Sequence, residues 1–198
     1  TQTIVLRLKD VWTISRNSST AKTNVLVRLE RDGVVGYGEA APNVRYGETP
    51  EQTEQMIALV GRTLEDEDLT AYRQIKTLVD RTIDGQNCAR AAVDIAVMDW
   101  AAKRLGVPLH RLFGLNAQQT PLTSYSIGID KPDVVRQKTR QAEAYPILKI
   151  KVGATDDEAM IDAVRSVTDK PLRVDANEGW TDKETAIRKI EWMQSKGV

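Results

Sequence analysis

The chain has 198 residues, 41% hydrophobic and 28% charged, which is enough apolar material for one sizeable core or two small ones and is not the composition of a disordered or fibrous chain. Twenty-eight basic residues balance 28 acidic ones, so no net field of either sign attracts nucleic acid or an anionic membrane surface, and neither partner is expected. A single cysteine, Cys88, excludes an internal disulfide, a single histidine, His110, leaves almost no material for a zinc cluster or a Cys/His pair, and with neither a membrane-length apolar run nor a leader a reducing, cytoplasmic setting is the expectation.

Residues 3–15 and 23–31 read as strands, and Asp32-Gly33 is a turn signal leading into "VVGYGEA", so the chain opens with a three-stranded antiparallel meander. The segment between the first two strands, "SRNSSTAK", reads as a polar, irregular loop. From Thr49-Pro50 the period changes. "TPEQTEQMIALVGRTL" has a Thr N-cap and Pro at the first helical position. "LTAYRQIKTLVDRTI" carries Ile75, Leu78, Val79 and Ile83 on one side, and "NCARAAVDIAVMDWAAKRLG" is an alanine-rich helix closed by Gly106 and Pro108. Asp94 and Asp99 in that helix are read as polar-face or helix-contact residues, not as a carboxylate pair.

Near residue 118 the pattern becomes strand then helix, repeated: "LTSYSIGI" before "KPDVVRQKTRQAEA", "ILKIKVG" before "TDDEAMIDAVRSVT", and "PLRVDANEG" before "TDKETAIRKIEWMQSKG". Successive βα units imply a parallel sheet with helices outside, because parallel strands need crossover connections. No Gly-x-Gly-x-x-Gly follows any of these strands, so a dinucleotide fold lacks its fingerprint. The alternative is a (β/α) barrel, with functional residues at the C-terminal ends of the strands. The fold class is thus α/β plus α+β: an α+β domain over 1–117, then a partial TIM-like barrel over 118–198.

Alternation on the 147–153 strand puts Leu148, Ile150 and Val152 on one side and Ile147, Lys149 and Lys151 on the other; on the next strand Leu172, Val174 and Ala176 oppose Arg173, Asp175 and Asn177. In a barrel the apolar sets meet the helices and the charged sets point inward. With neighbouring strands about 4.8 Å apart, Lys151 and Asp175 would then share one cup. Taken singly, alternating lysines also suit a solvent-facing side or a sheet edge, and an aspartate after a short apolar run also suits a turn. Independent surface positions do not predict the joint placement on one side and at one end. The combination fits proton abstraction from a carbon next to a carboxylate. A lysine serves as base when its charged form is disfavoured, which is the part expected of Lys149 toward Lys151, and Asp175 would give a hard cation one oxygen ligand.

"LKIKVG" followed by "RVDANEGW" resembles the Lys-x-Lys and Asp-x-Asn strands of the enolase superfamily, in its muconate lactonizing subgroup. The resemblance extends to "NVLVRLERDGVVGYGEAAP" and "CARAAVDIAVMDWAAKRLGVPL", and "TPLTSYSIGI", "KIKVG" and "RVDANEGWT" are most similar to dipeptide epimerases of the Ala-D/L-Glu type. It implies that 1–117 is a capping domain and that the activity is that of an isomerase: Mg²⁺-dependent epimerisation of a dipeptide by α-proton abstraction, through an enolate. By the same resemblance Lys151 is the base, Lys149 its electrostatic neighbour, Asp175 a magnesium ligand and Asn177 a polar partner lining the site. Ser126 would present a hydroxyl to the substrate, Arg16 would bind a substrate carboxylate from the capping loop, and Tyr46 in "NVRYGET" would close the pocket, although an ordinary loop arginine and a packing tyrosine account for the last two as well. The family barrel has more βα units than these three, so further carboxylate ligands and the acid on the opposite face are expected beyond residue 198, and the chain is read as the N-terminal portion of a longer enzyme. Sister activities (o-succinylbenzoate synthase, N-acylamino acid racemase, muconate cycloisomerase) share the proton-abstraction step, and a non-catalytic binding module is the alternative from another class. A homo-oligomer is compatible with the sequence, which is silent on the assembly.

Overall fold

The computed structural model describes residues 1–154 and 156–198. Contacts divide the chain into two compact units, Thr1–Arg7 with Ala21–Gln119, and Leu8–Thr20 with Thr120–Val198. From the sequence, 8–20 goes with the first domain; in the structure it groups with the second. None of the described helices is long and apolar enough to cross a membrane.

The first sheet has the order β1 (Gln2–Thr13), β2 (Ser18–Arg31), β3 (Val34–Ala40). Strands β2 and β3 are antiparallel, with Arg31 opposite Val34. Asp32 and Gly33 both have positive φ, 53° and 71°, the conformation a two-residue hairpin turn demands and Asp-Gly tolerates. The expected polar loop after β1 is mostly strand. A tight turn over 14–17 is closed by Ile14 N donating to Asn17 O at 2.9 Å, and Thr13 and Ser18 hydroxyls meet at 2.8 Å. Polar residues enter a strand here while the backbone stays in the ladder, Thr13 and Ser18 pairing their hydroxyls across the turn.

Three helices complete the first unit: α1 (Pro50–Thr63), α2 (Tyr72–Thr82) and α3 (Asn87–Leu105). The Thr49 side chain accepts from Gln52 N and Pro50 opens α1, as the capping signal requires. The core gathers Val25, Val27, Ile57, Val60, Ile75, Val79, Ala92, Ala96 and Trp100. Strand β3 lies hard against α3: a Cβ on Gly38 would stand 1.9 Å from Ala92 O, and one on Gly36 2.1 Å from Ala96 O. The alanines of α3 and the glycines of β3 therefore serve one close approach. Asp94 accepts from the Tyr72 hydroxyl at 2.7 Å, and Asp99 accepts from Tyr37 N at 2.8 Å, so both carboxylates make element-to-element contacts. That hydrogen bond to Asp94, with burial adding to it, pushes Tyr72 up to about 12.

The second unit carries the parallel sheet β4 (Ser124–Ile127), β5 (Ile147–Lys151), β6 (Leu172–Asp175), in that order. Helices α5 (Pro132–Gln141), α6 (Asp157–Arg165) and α7 (Lys183–Ser195) alternate with the strands, preceded in the chain by a short α4 (Leu109–Leu112) that belongs to the first unit. The first position of the expected helix 155–168 lies outside the described residues. Leu148, Ile150 and Val152 are fully buried and pack with Ile127, Val135, Met160, Ile161, Val164 and Met193. This is the helix-facing side of a partial barrel, and burying those aliphatic side chains is its main source of stability, roughly 1.5–3 kcal/mol each.

Candidate active site

Because the helix-facing side of β5 is filled by aliphatic residues, Lys149 and Lys151 are left on the opposite face. Register then decides what they meet. Lys149 is paired with Ser126 on β4 and with Arg173 on β6, while Lys151 is paired with Asp175. Paired residues of parallel strands project to one side, so Ser126, Lys149 and Arg173 form one layer of the polar face and Lys151 with Asp175 the next, toward the C-terminal ends.

One carboxylate oxygen organises the upper layer. Asp175 Oδ2 lies 2.8 Å from Lys151 Nζ and 2.9 Å from Lys149 Nζ. Lys151 also donates to Asn177 Oδ1 at 2.8 Å, and Asp175 Oδ1 accepts from Asn177 N at 2.9 Å. Lys151 is 8% exposed and stands 5.9 Å from the centroid of the Trp12 ring, within cation–π range. The Lys151 ammonium, hydrogen-bonded to it, holds the Asp175 carboxyl well below the usual carboxylate range; Lys149 acts in the same direction and burial opposes both. Asp175 is thus a fixed anion against which two cations are positioned.

Asn177 reaches Lys151 through an unusual backbone. Asn177 and Glu178 are consecutive left-handed residues, φ 47° and 64°, a conformation that costs on the order of 1–3 kcal/mol each and persists only where the surroundings impose it. Part of that imposition comes from the 8–20 segment: the Ser15 hydroxyl donates to Ala176 O at 3.0 Å and Asn177 O at 3.1 Å. Arg16 pairs with Glu178 at 2.9 Å. Both are partners within the second unit.

Of the residues singled out from the sequence, the structure brings together Lys149, Lys151, Asp175 and Asn177, with Ser126 one layer down and Arg16, in the 14–17 turn, paired with Glu178 of the loop following β6. Tyr46 sits in a 3₁₀ turn, Val44–Tyr46, of the first unit and is 65% exposed. Sequence reasoning missed Trp12, whose strand pattern carried no mark of a role, and Ser15, hidden in a segment taken for an irregular loop. Among the described residues no three His, Cys, Asp or Glu side chains are grouped so as to hold a metal ion. Asp175 and Asn177 offer oxygen donors of the kind a hard dication takes, but too few of them for a magnesium site on their own.

Residues 2–114 match the model of the mandelate racemase / muconate lactonizing enzyme N-terminal domain. The chain belongs to this family. It is 43% identical over 195 residues to an L-Ala-D/L-Glu epimerase of Bacteroides thetaiotaomicron, covering 98% of this chain and 50% of that protein. It is 42% identical to an L-Ala-D/L-amino acid epimerase of Pedosphaera parvula, covering 95% of this chain and 55% of the relative. Among solved structures, the dipeptide epimerase of Cytophaga hutchinsonii, complexed with Mg and the dipeptide D-Ala-L-Val, matches with a TM-score of 0.91 and 28% identity over 98% of this chain and 55% of its own. The chain thus spans about half the length of the relatives it matches. The expected superfamily and fold class, a capping domain followed by part of a barrel, are those of the chain.

Proposed function

We propose that the protein containing this chain is a dipeptide epimerase acting on the α-carbon of an Ala-Glu-type substrate. The observation that carries the reading is the convergence of Lys149, Lys151, Asp175 and Asn177 on one face of the parallel sheet, at the C-terminal ends of its strands, where barrels place their chemistry. Support for the substrate class comes from the names of the two relatives above and from the dipeptide in the Cytophaga hutchinsonii structure.

In this reading Lys151, as the neutral amine, takes the α-proton onto Nζ and becomes the ammonium, and Lys149 fixes it from the layer below and adds positive charge where an enolate develops. Lys151, 8% exposed, holds that proton at Nζ away from bulk water. Asn177 orients the Lys151 amine, Ser126 faces the substrate, and Arg16 receives a substrate carboxylate in place of Glu178. Mg²⁺ is the cofactor we assign, with Asp175 one of its ligands, supplying charge neutralisation at the substrate carboxylate when bound. A cytoplasmic setting and a homo-oligomer belong to the same proposal.

The test is exchange of the substrate α-proton for deuterium by the whole protein, with epimerisation followed in parallel. Lys151→Ala retaining full exchange refutes the assignment of the base. An N-succinyl Arg/Lys racemase of Bacillus cereus also matches, with a TM-score of 0.90 and 27% identity, so N-acylamino acids are the second substrate class to screen; exchange with these and not with dipeptides would move the protein to that sister activity.

A further inference from the structure

The buried carboxylate of Asp157 takes no part in the site just described, yet it ties together the two loops that follow the site's strands. Asp157 is 1% exposed. Its Oδ1 accepts from Gly153 N at 2.7 Å and Ala154 N at 3.0 Å, in the loop that follows Lys151, the last residue of β5. Its Oδ2 accepts from the Trp180 indole N–H at 2.8 Å, in the loop after β6 that holds Asn177. Lys189 on α7 stands 3.8 Å from Oδ2, so the charge is not left uncompensated. This donor set does not suit a neutral amide: an amide offers one acceptor and one donor edge, whereas these N–H groups demand acceptors on both edges.

The same two loops touch directly. Gly153 has φ 95°, and a Cβ there would stand 2.3 Å from Ala176 O. A Cβ on Gly179 would stand 2.2 Å from Gly153 O. Val152 N donates to Asp175 O at 3.1 Å. The loop that ends at the bridged Trp180 holds the strained pair Asn177 and Glu178, and Asn177 Oδ1 accepts from Lys151 Nζ, two residues before the bridged Gly153. Held at one end by the Gly153 contact and at the other by the indole, the loop has little freedom to relax its left-handed residues.

We infer that Asp157 is a positioning residue of the site: by accepting from both loops it sets the Asn177 carboxamide against the Lys151 amine. The kinetic half of this inference rests on the epimerase reading; the structural half does not. Outer partners that orient the ligands of a metal site are worth about 10- to 100-fold when removed, and the same scale is expected for a group that orients a functional side chain from behind.

In the whole protein, Asp157→Asn is expected to lower kcat for α-proton exchange by about 10- to 100-fold with KM for the dipeptide nearly unchanged. In an Asn177→Ala background the same change is expected to cost less than about 3-fold, because residues acting through one contact are not additive. Trp180→Phe, which keeps the ring and removes only the N–H, should show the same pattern at smaller size and guards against an Asp157→Asn protein that does not fold. Crystal structures of either variant should show the Lys151 Nζ to Asn177 Oδ1 contact lengthened beyond hydrogen-bond reach, whether or not the protein turns over dipeptides. An unchanged contact, or losses that add in full with Asn177→Ala, overturns the inference. A wild-type protein inactive on every dipeptide, with the contact still broken in the variants, overturns the epimerase reading and leaves the positioning role standing.

Discussion

The two sheets of this chain use the same alternation for different ends. In β3, Gly36, Gly38 and Ala40 turn to the core while Tyr37 and Glu39 face outward; Tyr37 is 55% exposed and Lys103 lies over its ring. In β5, Leu148, Ile150 and Val152 turn to the helices, and the other face carries two lysines bound to one carboxylate from the next strand. What separates the faces is not polarity. Lys151 is 8% exposed and its partners come from β6 and the following loop, whereas Arg28 on β2 pairs with Glu30 two residues away, both side chains about half exposed. Exposed local pairs contribute 0–1 kcal/mol; a cation withdrawn from water needs compensating anions and oriented dipoles, and such sites concentrate where chemistry occurs.

The two kinds of cation should respond differently to removal. Lys151→Ala is expected to reduce α-proton exchange by about 10²- to 10⁴-fold, the usual contribution of a general base, and Arg28→Ala to leave it unchanged; equal losses in a deuterium-exchange assay would erase the distinction between the faces. Next in size is the core side of β3. Gly38→Ala brings a methyl to 1.9 Å from Ala92 O and should destabilise the protein by about 1–3 kcal/mol or more, seen as a lower denaturation midpoint, whereas Arg28→Ala on the exposed side of β2 should leave that midpoint nearly unchanged.

Tyr72 makes the stability of the first unit depend on pH. Its hydrogen bond to Asp94 pushes it up to about 12, so the folded state favours the neutral phenol. A raised value stabilises fully below the unfolded value of about 10 and loses that contribution as pH climbs through the folded one. Tyr72→Phe should therefore be less stable than wild type by about 1 kcal/mol near pH 8, with the gap closing in strong alkali, and ultraviolet titration should show one tyrosine ionising last. The smallest effect is expected at the exposed pair Arg16–Glu178, whose side chains are 33% and 61% accessible: Glu178→Gln should move stability by less than about 1 kcal/mol in a melting experiment.

Much of the architecture was legible because it is written in period. The Thr49-Pro50 cap, the Asp32-Gly33 turn and the three strand-then-helix repeats each rest on local geometry that neighbouring residues enforce. The 8–20 segment was not, since its polar residues resemble a loop and their strand conformation depends on pairing across the 14–17 turn. The candidate site divides the same way. Lys149, Lys151 and Asp175 could be placed on inward faces from alternation alone, but Ser15 and Asp157 could not be found: a serine in a polar stretch and an acid at a helix start look ordinary until the chain returns to meet them.

By itself, the sequence determined which residues face the helices and which do not, because a strand has only two sides and aliphatic residues claim one of them. Tertiary structure decided that Lys149 and Lys151 share a single oxygen of Asp175, that Asn177 bends back through left-handed backbone to reach Lys151, and that Ser15 and Asp157 brace that bend. Those relations depend on strand register and on contacts between residues up to 162 positions apart, which no local pattern encodes.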